Sequence, residues 1–283
     1  MIQTYCGDCL EELTRLQDHV ADVILFDIPF IPMSATYRQV HKKTQHKHEE
    51  IVMPGDDQPN IKELKKKWIK WFILLSQQLQ RILKKEGWCI IKADGITAKT
   101  MWIYLQHYLD YAGEIVWDKE VIGLGYYIRS RHELIELYRP KNAVNSYCKQ
   151  KPKARKAPKT QAWHGDGKGV SFPSVLRLKV LNNGSRGLSP TTNLTDHINE
   201  TPTELWRRIL SHLCPRGGLV VDPTMGTGSI GLACIQLEMN YFGVEIMPSY
   251  YAKAEQKLKK GNTILITHFT KEKEEEKKQT TLG

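Results

Sequence analysis

Leu219-Val-Val-Asp222-Pro-Thr-Met-Gly226-Thr-Gly228-Ser-Ile-Gly231 is the stretch on which the fold turns. Apolar residues of buried-strand length end in an acid, a turn with two glycines follows, and Ser229 to Glu238 reads as a helix. Gly226 and Gly228 let the backbone approach a ligand, and the first N–H groups of the helix face an anion. Glu245 stands 245 − 226 = 19 residues further on, at the end of the strand Tyr241 to Val244, where an acid binds ribose hydroxyls. The same letters spell a GxGxxG dinucleotide fingerprint. Its position argues against that reading. Only 283 − 231 = 52 residues follow Gly231, too few for the rest of a dinucleotide domain plus a substrate domain. The rest of the sheet therefore has to come from the N-terminal part of the chain.

That part supplies strands. Asp22 to Asp27, Gly87 to Lys92, Glu114 to Trp117 and Leu134 to Tyr138 are short apolar runs of buried-strand length. Between them, Ile61, Leu64, Trp68, Phe72, Leu75, Leu79 and Ile82 recur at steps of three and four, the core face of a helix with lysines opposite. Trp102, Tyr104, Leu105 and Tyr108 are expected as the core of another helix. Strands alternating with helices predict an α/β protein with a mostly parallel sheet covered on both faces. There is no internal repeat.

Composition sets the bounds. A chain of 283 residues with 41% hydrophobic and 25% charged residues builds a real core, which excludes wholesale disorder and a small disulfide scaffold. The longest apolar run, Trp71 to Leu75, is far too short to cross a bilayer, and no basic-then-apolar leader opens the chain. Six scattered cysteines suit a reducing compartment. The formal charge, 41 − 31 = +10, favours a polyanionic partner. Much of it is concentrated between Arg139 and Lys168, with nine Lys/Arg against Asp166 alone, interleaved with Tyr147, Trp163 and His164. Aromatic rings among cations suit nucleic acid. Residues 271–278 hold four Lys and four Glu with no apolar face and read as disordered tail. Cys6 and Cys9 form a C-x-x-C without a second pair, so zinc is not expected, and His41, His46 and His48 sit in a Lys-rich loop that reads as DNA-facing or solvated.

A second chemical site is Phe26-Asp27-Ile28-Pro29-Phe30, at the carboxyl end of an apolar strand, the edge where open α/β sheets bind ligands. An exocyclic amine on a nucleobase is a poor nucleophile because its lone pair is delocalised into the ring. Asp27 and the Ile28 carbonyl can accept its two N–H groups and draw the nitrogen toward tetrahedral geometry. Pro29 stiffens the loop and Phe30 can stack on a flipped base.

Further segments stand in order around these two sites: Tyr5-Cys-Gly7-Asp8-Cys9-Leu-Glu-Glu-Leu13, Arg81-Ile-Leu-Lys-Lys-Glu-Gly87, Trp117-Asp-Lys119, Arg131-His132-Glu133, His197-Ile-Asn199-Glu200-Thr201-Pro202-Thr-Glu-Leu205 and Tyr241-Phe-Gly243-Val-Glu245-Ile246-Met-Pro248-Ser-Tyr250. In identity and order this set resembles the β-class, circularly permuted DNA amino-methyltransferases that use S-adenosylmethionine. Asp27-Ile-Pro-Phe30 is similar to their D-P-P-Y motif and Asp222-Pro-Thr-Met-Gly226-Thr-Gly228-Ser229 to D-P-F-x-G-S-G-T. The resemblance covers roughly residues 3–140 and 195–260.

The resemblance implies a Rossmann-like methyltransferase fold: a mostly parallel seven-stranded sheet with helices on both faces, permuted motif order and an inserted target-recognition region. Residues 1–138 and 197–268 would form the catalytic domain, 139–196 the basic insert and 269–283 the tail. The implied activity is adenine-N6 methylation of duplex DNA, since an acid rather than Ser stands at Asp27. Cytosine-N4 transfer and a non-catalytic DNA-binding subunit are the alternatives. The implied catalytic residues are Asp27, Ile28, Pro29 and Phe30. S-adenosylmethionine would be held by Asp8, Cys9, Asp27, His197, Asn199, Thr201, Pro202, Asp222, Thr224, Gly226, Thr227, Gly228, Ser229, Glu245 and Ile246. DNA would be held by Lys151, Lys153, Arg155, Lys156 and Lys159, with no metal and a homodimer left open. The expected setting is the cytoplasm, nucleoid-associated, in a restriction–modification context of prokaryotic or phage type. Two positions depart from the family pattern. Ile28 replaces a proline, and Thr201 replaces a lysine, which removes a positive charge near the cofactor pocket.

Overall fold

The computed structural model describes residues 1–31, 61–122, 129–141, 143, 172–179 and 201–261. Its strands are β1 (Ile2–Cys6), β2 (Ala21–Asp27), β3 (Leu83–Ala93), β4 (Leu109–Asp118), β5 (His132–Pro140), β6 (Val175–Arg177), β7 (Leu219–Asp222) and β8 (Asn240–Glu245). The helices are α1 (Cys9–Glu12), α2 (Ile61–Ile82), α3 (Gly95–Leu105), α4 (Thr203–Leu213), α5 (Ser229–Gln236) and α6 (248–261).

The strands form one eight-stranded sheet in the order β1-β8-β7-β2-β3-β5-β4-β6. Only β5 runs against its neighbours; every other pairing is parallel. The sheet around β7 and β8 is completed by strands from the N-terminal part of the chain. Ile2 pairs with Tyr241, and Val23 with Val220. From the central pair β7 and β2 the chain winds outward in opposite directions, so the topological switch point lies between them. Ligands of open α/β sheets bind at the carboxyl ends of such a pair.

Both faces of the sheet are covered, which explains why β2 is apolar at every position from Val23 to Phe26. Ile24 and Phe26 enter the core under α1, α2 and α3, while Val23 and Leu25 enter the core under α4, α5 and α6. The predicted stripe of α2 is real: Trp68, Phe72, Leu75, Leu79 and Ile82 are buried. Helix α5 stops at Gln236, two residues short of the expected Glu238. There Glu238 turns left-handed, with its N–H on Ile235 O and that of Met239 on Cys234 O, the paired bonds that close a helix C-terminus.

Several expectations need correction. The sheet has eight strands rather than seven, because Val175–Arg177, within the expected insert, pairs along β4. The edge strand β1 escaped a reading based on apolar runs, since Gln3 and Thr4 interrupt it. The strand predicted from Gly87 to Lys92 starts earlier, at Leu83 directly after α2, and its start is bulged: Ala21 pairs with Leu83, but Val23 already pairs with Trp88. Trp102 is not core. Ala98, Met101 and Leu105 form the buried stripe of α3, and Trp102, one position round from Met101, is exposed, while Tyr104 and Tyr108 are half-buried.

Candidate active site at the switch point

Two loops meet at the carboxyl edge of β7 and β2. The loop after β7 is shaped by backbone. Gly226 and Gly228 both adopt the left-handed region, at φ 54° and 80°. At Gly228 a side chain would also meet the Ala254 methyl of α6 at 3.2 Å. Glu245, at the end of β8, accepts the Gly226 N–H at 2.8 Å and the Met247 N–H at 2.8 Å, so its carboxylate ties the glycine turn to the next strand. Burial raises its pKa, against those backbone N–H groups. The Gly7 N–H bonds to Glu245 O at 3.0 Å and brings the loop after β1 to the same place.

Within that loop Asp8 caps α1 by accepting the Leu10 N–H at 2.8 Å. Cys9 points into the core, and burial pushes its thiol up to about 12. Asp222 is fully buried and acts on the turn from inside, accepting from Tyr241 Oη at 2.8 Å and from the Thr224 N–H at 3.2 Å. Burial holds its carboxyl up at about 8. Thr227 and Ser229 are also buried, whereas Ile246 stands 60% exposed beside the turn.

The loop after β2 is shaped by side chains. Ile28 N–H bonds to Lys92 O at 3.1 Å, Trp68 Nε1 donates to Pro29 O at 2.8 Å, and Ile31 N–H bonds to Thr97 Oγ1 at 3.1 Å. Ile28 fills the core, a role proline's shorter ring would fill less completely, and Phe30 remains 40% exposed at the mouth. Thr224 Oγ1 donates to the Asp27 carbonyl at 2.8 Å, joining the two loops directly.

Asp27 Oδ2 receives Lys92 Nζ at 2.6 Å and Thr201 Oγ1 at 3.1 Å. Lys92, only 3% exposed, also stands 2.6 Å from Glu133 Oε2, and Glu133 Oε1 receives Lys119 Nζ at 2.9 Å. Burial raises the Asp27 pKa, and the Lys92 ammonium offsets part of that rise. Burial works to lower Lys92, but its two carboxylates outweigh it and leave the ammonium above its ordinary value. For Glu133, burial is overcome by Lys92 and Lys119, which hold it below the usual range.

Asp27, Thr201, Thr224, Gly226, Gly228 and Glu245 are thus brought together, with Pro202 buried beside Thr201. His197, Asn199, Lys151, Lys153, Arg155, Lys156, Lys159, the histidines 41, 46 and 48, and the tail lie outside the described residues. Sequence reasoning missed Lys92. Its signal was a lysine closing the apolar run Gly87 to Lys92 at the same sheet edge as Asp27. Lys92 thus brings a cation to the same carboxylate oxygen that Thr201 contacts. Among the described residues no group of three or more His, Cys, Asp or Glu could hold a metal, and no helix is long and apolar enough to cross a membrane.

The DNA methylase family, of the N6/N4 methyltransferase group, matches residues 21–256. The chain belongs to this family of S-adenosylmethionine-dependent methyltransferases. Among curated relatives, the type II methyltransferase M.Cfr9I of Citrobacter freundii is 34% identical over 70 residues, 25% of this chain and 23% of that protein. That match spans about a quarter of the relative's length. Among solved structures, a DNA modification methylase from Thermus thermophilus, complexed with S-adenosyl-L-methionine, superposes with a TM-score of 0.61 at 15% identity, covering 93% of this chain and 96% of the other. The PvuII DNA methyltransferase, cytosine-N4-specific, superposes with a TM-score of 0.61 at 14% identity, covering 94% and 93%. These likenesses show a Rossmann-like methyltransferase fold.

Proposed function

We propose that the chain transfers a methyl group from S-adenosylmethionine to adenine-N6 in duplex DNA. The observation that carries this reading is the hydrogen bond from Thr224 Oγ1 to the Asp27 carbonyl, which seats an acid able to bind an amine directly beside a glycine turn able to bind the cofactor. The residues around the turn fit S-adenosylmethionine. Left-handed Gly226 and Gly228 leave room for it, Glu245 offers carboxylate oxygens to ribose hydroxyls, and exposed Ile246 offers an apolar cover for a purine. When bound, the cofactor supplies a methyl on a positively charged sulfur, which leaves as a neutral thioether.

Asp27 Oδ2 is committed to Lys92 and Thr201, so Oδ1 is the oxygen assigned to the target amine, with the Ile28 carbonyl as the second acceptor. As the nitrogen lone pair forms the new N–C bond, the amine becomes an ammonium, and Asp27 is placed to take the proton it sheds. Pro29, locked through its carbonyl by Trp68, holds both acceptors still, and Phe30 presents an exposed ring to a flipped base. Adenine is favoured over cytosine because an acid rather than Ser stands at position 27, which the resemblance implies for the adenine-modifying type. Residues 1–138 and 197–268 form the catalytic unit in this reading. The basic insert 139–196 reads the target through Lys151, Lys153, Arg155, Lys156 and Lys159. A nucleoid-associated protein, acting alone or as a homodimer, follows from the same reading.

The test is incubation with methyl-labelled cofactor and mixed-sequence duplex DNA, followed by nucleoside analysis. N6-methyldeoxyadenosine is expected. N4-methyldeoxycytidine would move the target to cytosine, and binding of both substrates with no methylated product would make the chain a non-catalytic subunit.

A further inference from the structure

Four strands that are adjacent in the sheet, β2, β3, β5 and β4, each bring one charge to the same edge. Asp27 ends β2, Lys92 lies near the end of β3, Glu133 opens antiparallel β5, and Lys119 directly follows β4. The signs alternate, and successive groups are 2.6, 2.6 and 2.9 Å apart. The row is formally neutral, and its second member is the most deeply buried, with 4% of the Lys92 side chain accessible against 36% for Asp27. Asp27, with 36% of its side chain accessible, is the most open member of the row, against 18% for Glu133 and Lys119. Such a row is a poor device for stability alone, because desolvating the ions offsets most of their attraction, and well-packed apolar side chains often serve as well.

We propose that Lys92 is a positioning residue for methyl transfer: fixed in place between Asp27 and Glu133, it holds Asp27 as an anion with Oδ2 occupied and Oδ1 presented to the target amine. The inference rests on the role assigned to Asp27 above. The groups facing Asp27 set its signs. Lys92 of β3 and the Thr201 hydroxyl favour the anion, while Glu133 of β5 opposes it. The charge of Asp27 in turn helps to raise Asp222 of β7. The Phe30 and Trp117 rings, each centred 5.8 Å from Lys92 Nζ, wall in the cation.

The test uses the full chain carrying carboxyl-labelled aspartate, with the Asp27 resonance assigned by its loss in Asp27→Asn, and follows its titration by NMR alongside the pH profile of kcat. In Lys92→Met the Asp27 midpoint should rise by about one pH unit or more, the reverse of placing a cation beside a carboxylate. The acid limb of kcat should move with it, while KM for the cofactor stays within about threefold. Lys92→Arg, which keeps the cation, should return the midpoint toward wild type. Glu133→Gln should move the midpoint the other way, downward, a sign that loss of packing would not produce. Should Lys92→Met not fold, Glu133→Gln decides. A lowered midpoint upholds the proposal, and an unchanged or raised one overturns it, as would a Lys92→Met midpoint equal to wild type. Wild-type protein that methylates no DNA would instead remove the methyl-transfer reading, and the NMR midpoints would still report on Lys92.

Discussion

The two loops at the switch point solve opposite problems. The loop after β7 makes room: two left-handed glycines and a carboxylate bonded to backbone N–H groups keep side chains out of a volume that a cofactor can fill. The loop after β2 fills room, setting a carboxylate against a buried lysine and a threonine hydroxyl and anchoring the following residues through Trp68 and Thr97. Binding a large cofactor needs a shape that backbone can provide, whereas activating a weak amine needs an acceptor held in one charge state and one orientation. Damage to the first loop should therefore appear in affinity, and damage to the second in rate.

The sharpest way to break that division is Asp27→Ala. Methyl transfer should fall by roughly 10²–10⁴-fold, the range for loss of a positioned acid–base group, while cofactor affinity by calorimetry stays near wild type. A matching loss of affinity would mean that the two loops act as one. Glu245→Ala tests the other side. It should weaken cofactor binding by on the order of 1.5–3 kcal/mol, the scale of hydrogen bonds to a charged group, and saturating cofactor should restore much of the rate.

Phe30→Ala should slow methylation through lost stacking on the flipped base, worth about 1–3 kcal/mol, with Phe30→Tyr nearly neutral in steady-state assays. The smallest effect belongs to Gly228→Ala. Its left-handed backbone and the 3.2 Å approach to Ala254 should cost about 1–2 kcal/mol in chemical denaturation, with cofactor affinity reduced in parallel. A stable Gly228→Ala variant with intact affinity would show that the turn tolerates side chains.

The same contrast explains what could be read in advance. A backbone requirement leaves a local mark, and Gly226, Gly228 and the acid at 245 were all legible as letters at a fixed spacing. The partnership of Asp27 with Lys92, Glu133, Lys119 and Thr201 draws on residues up to 174 positions apart. It exists only because β3 lies beside β2 and antiparallel β5 lies beside β3. Lys92 by itself is an ordinary lysine at the end of a strand. Thr201 was legible as a missing cation but not as a hydroxyl on Asp27, since that contact depends on where the segment before α4 packs. Strands β1 and β6 were missed for another reason: both lie at sheet edges, where half-exposed positions weaken the apolar run that marks a buried strand.

The pairing of β1 with β8 has a consequence for how the protein is made. The first strand of the chain has a single neighbour in the sheet, and that neighbour lies 239 positions away, as Ile2 meets Tyr241. At synthesis rates of about 5–20 residues per second, β1 and the β7-facing side of β2 would wait many seconds for their strand partners, until β7 and β8 leave the ribosome. The Asp27 side of the switch-point cleft can therefore assemble from strands β2 to β5, whereas the glycine-turn side joins it only after β7 and β8 have been translated.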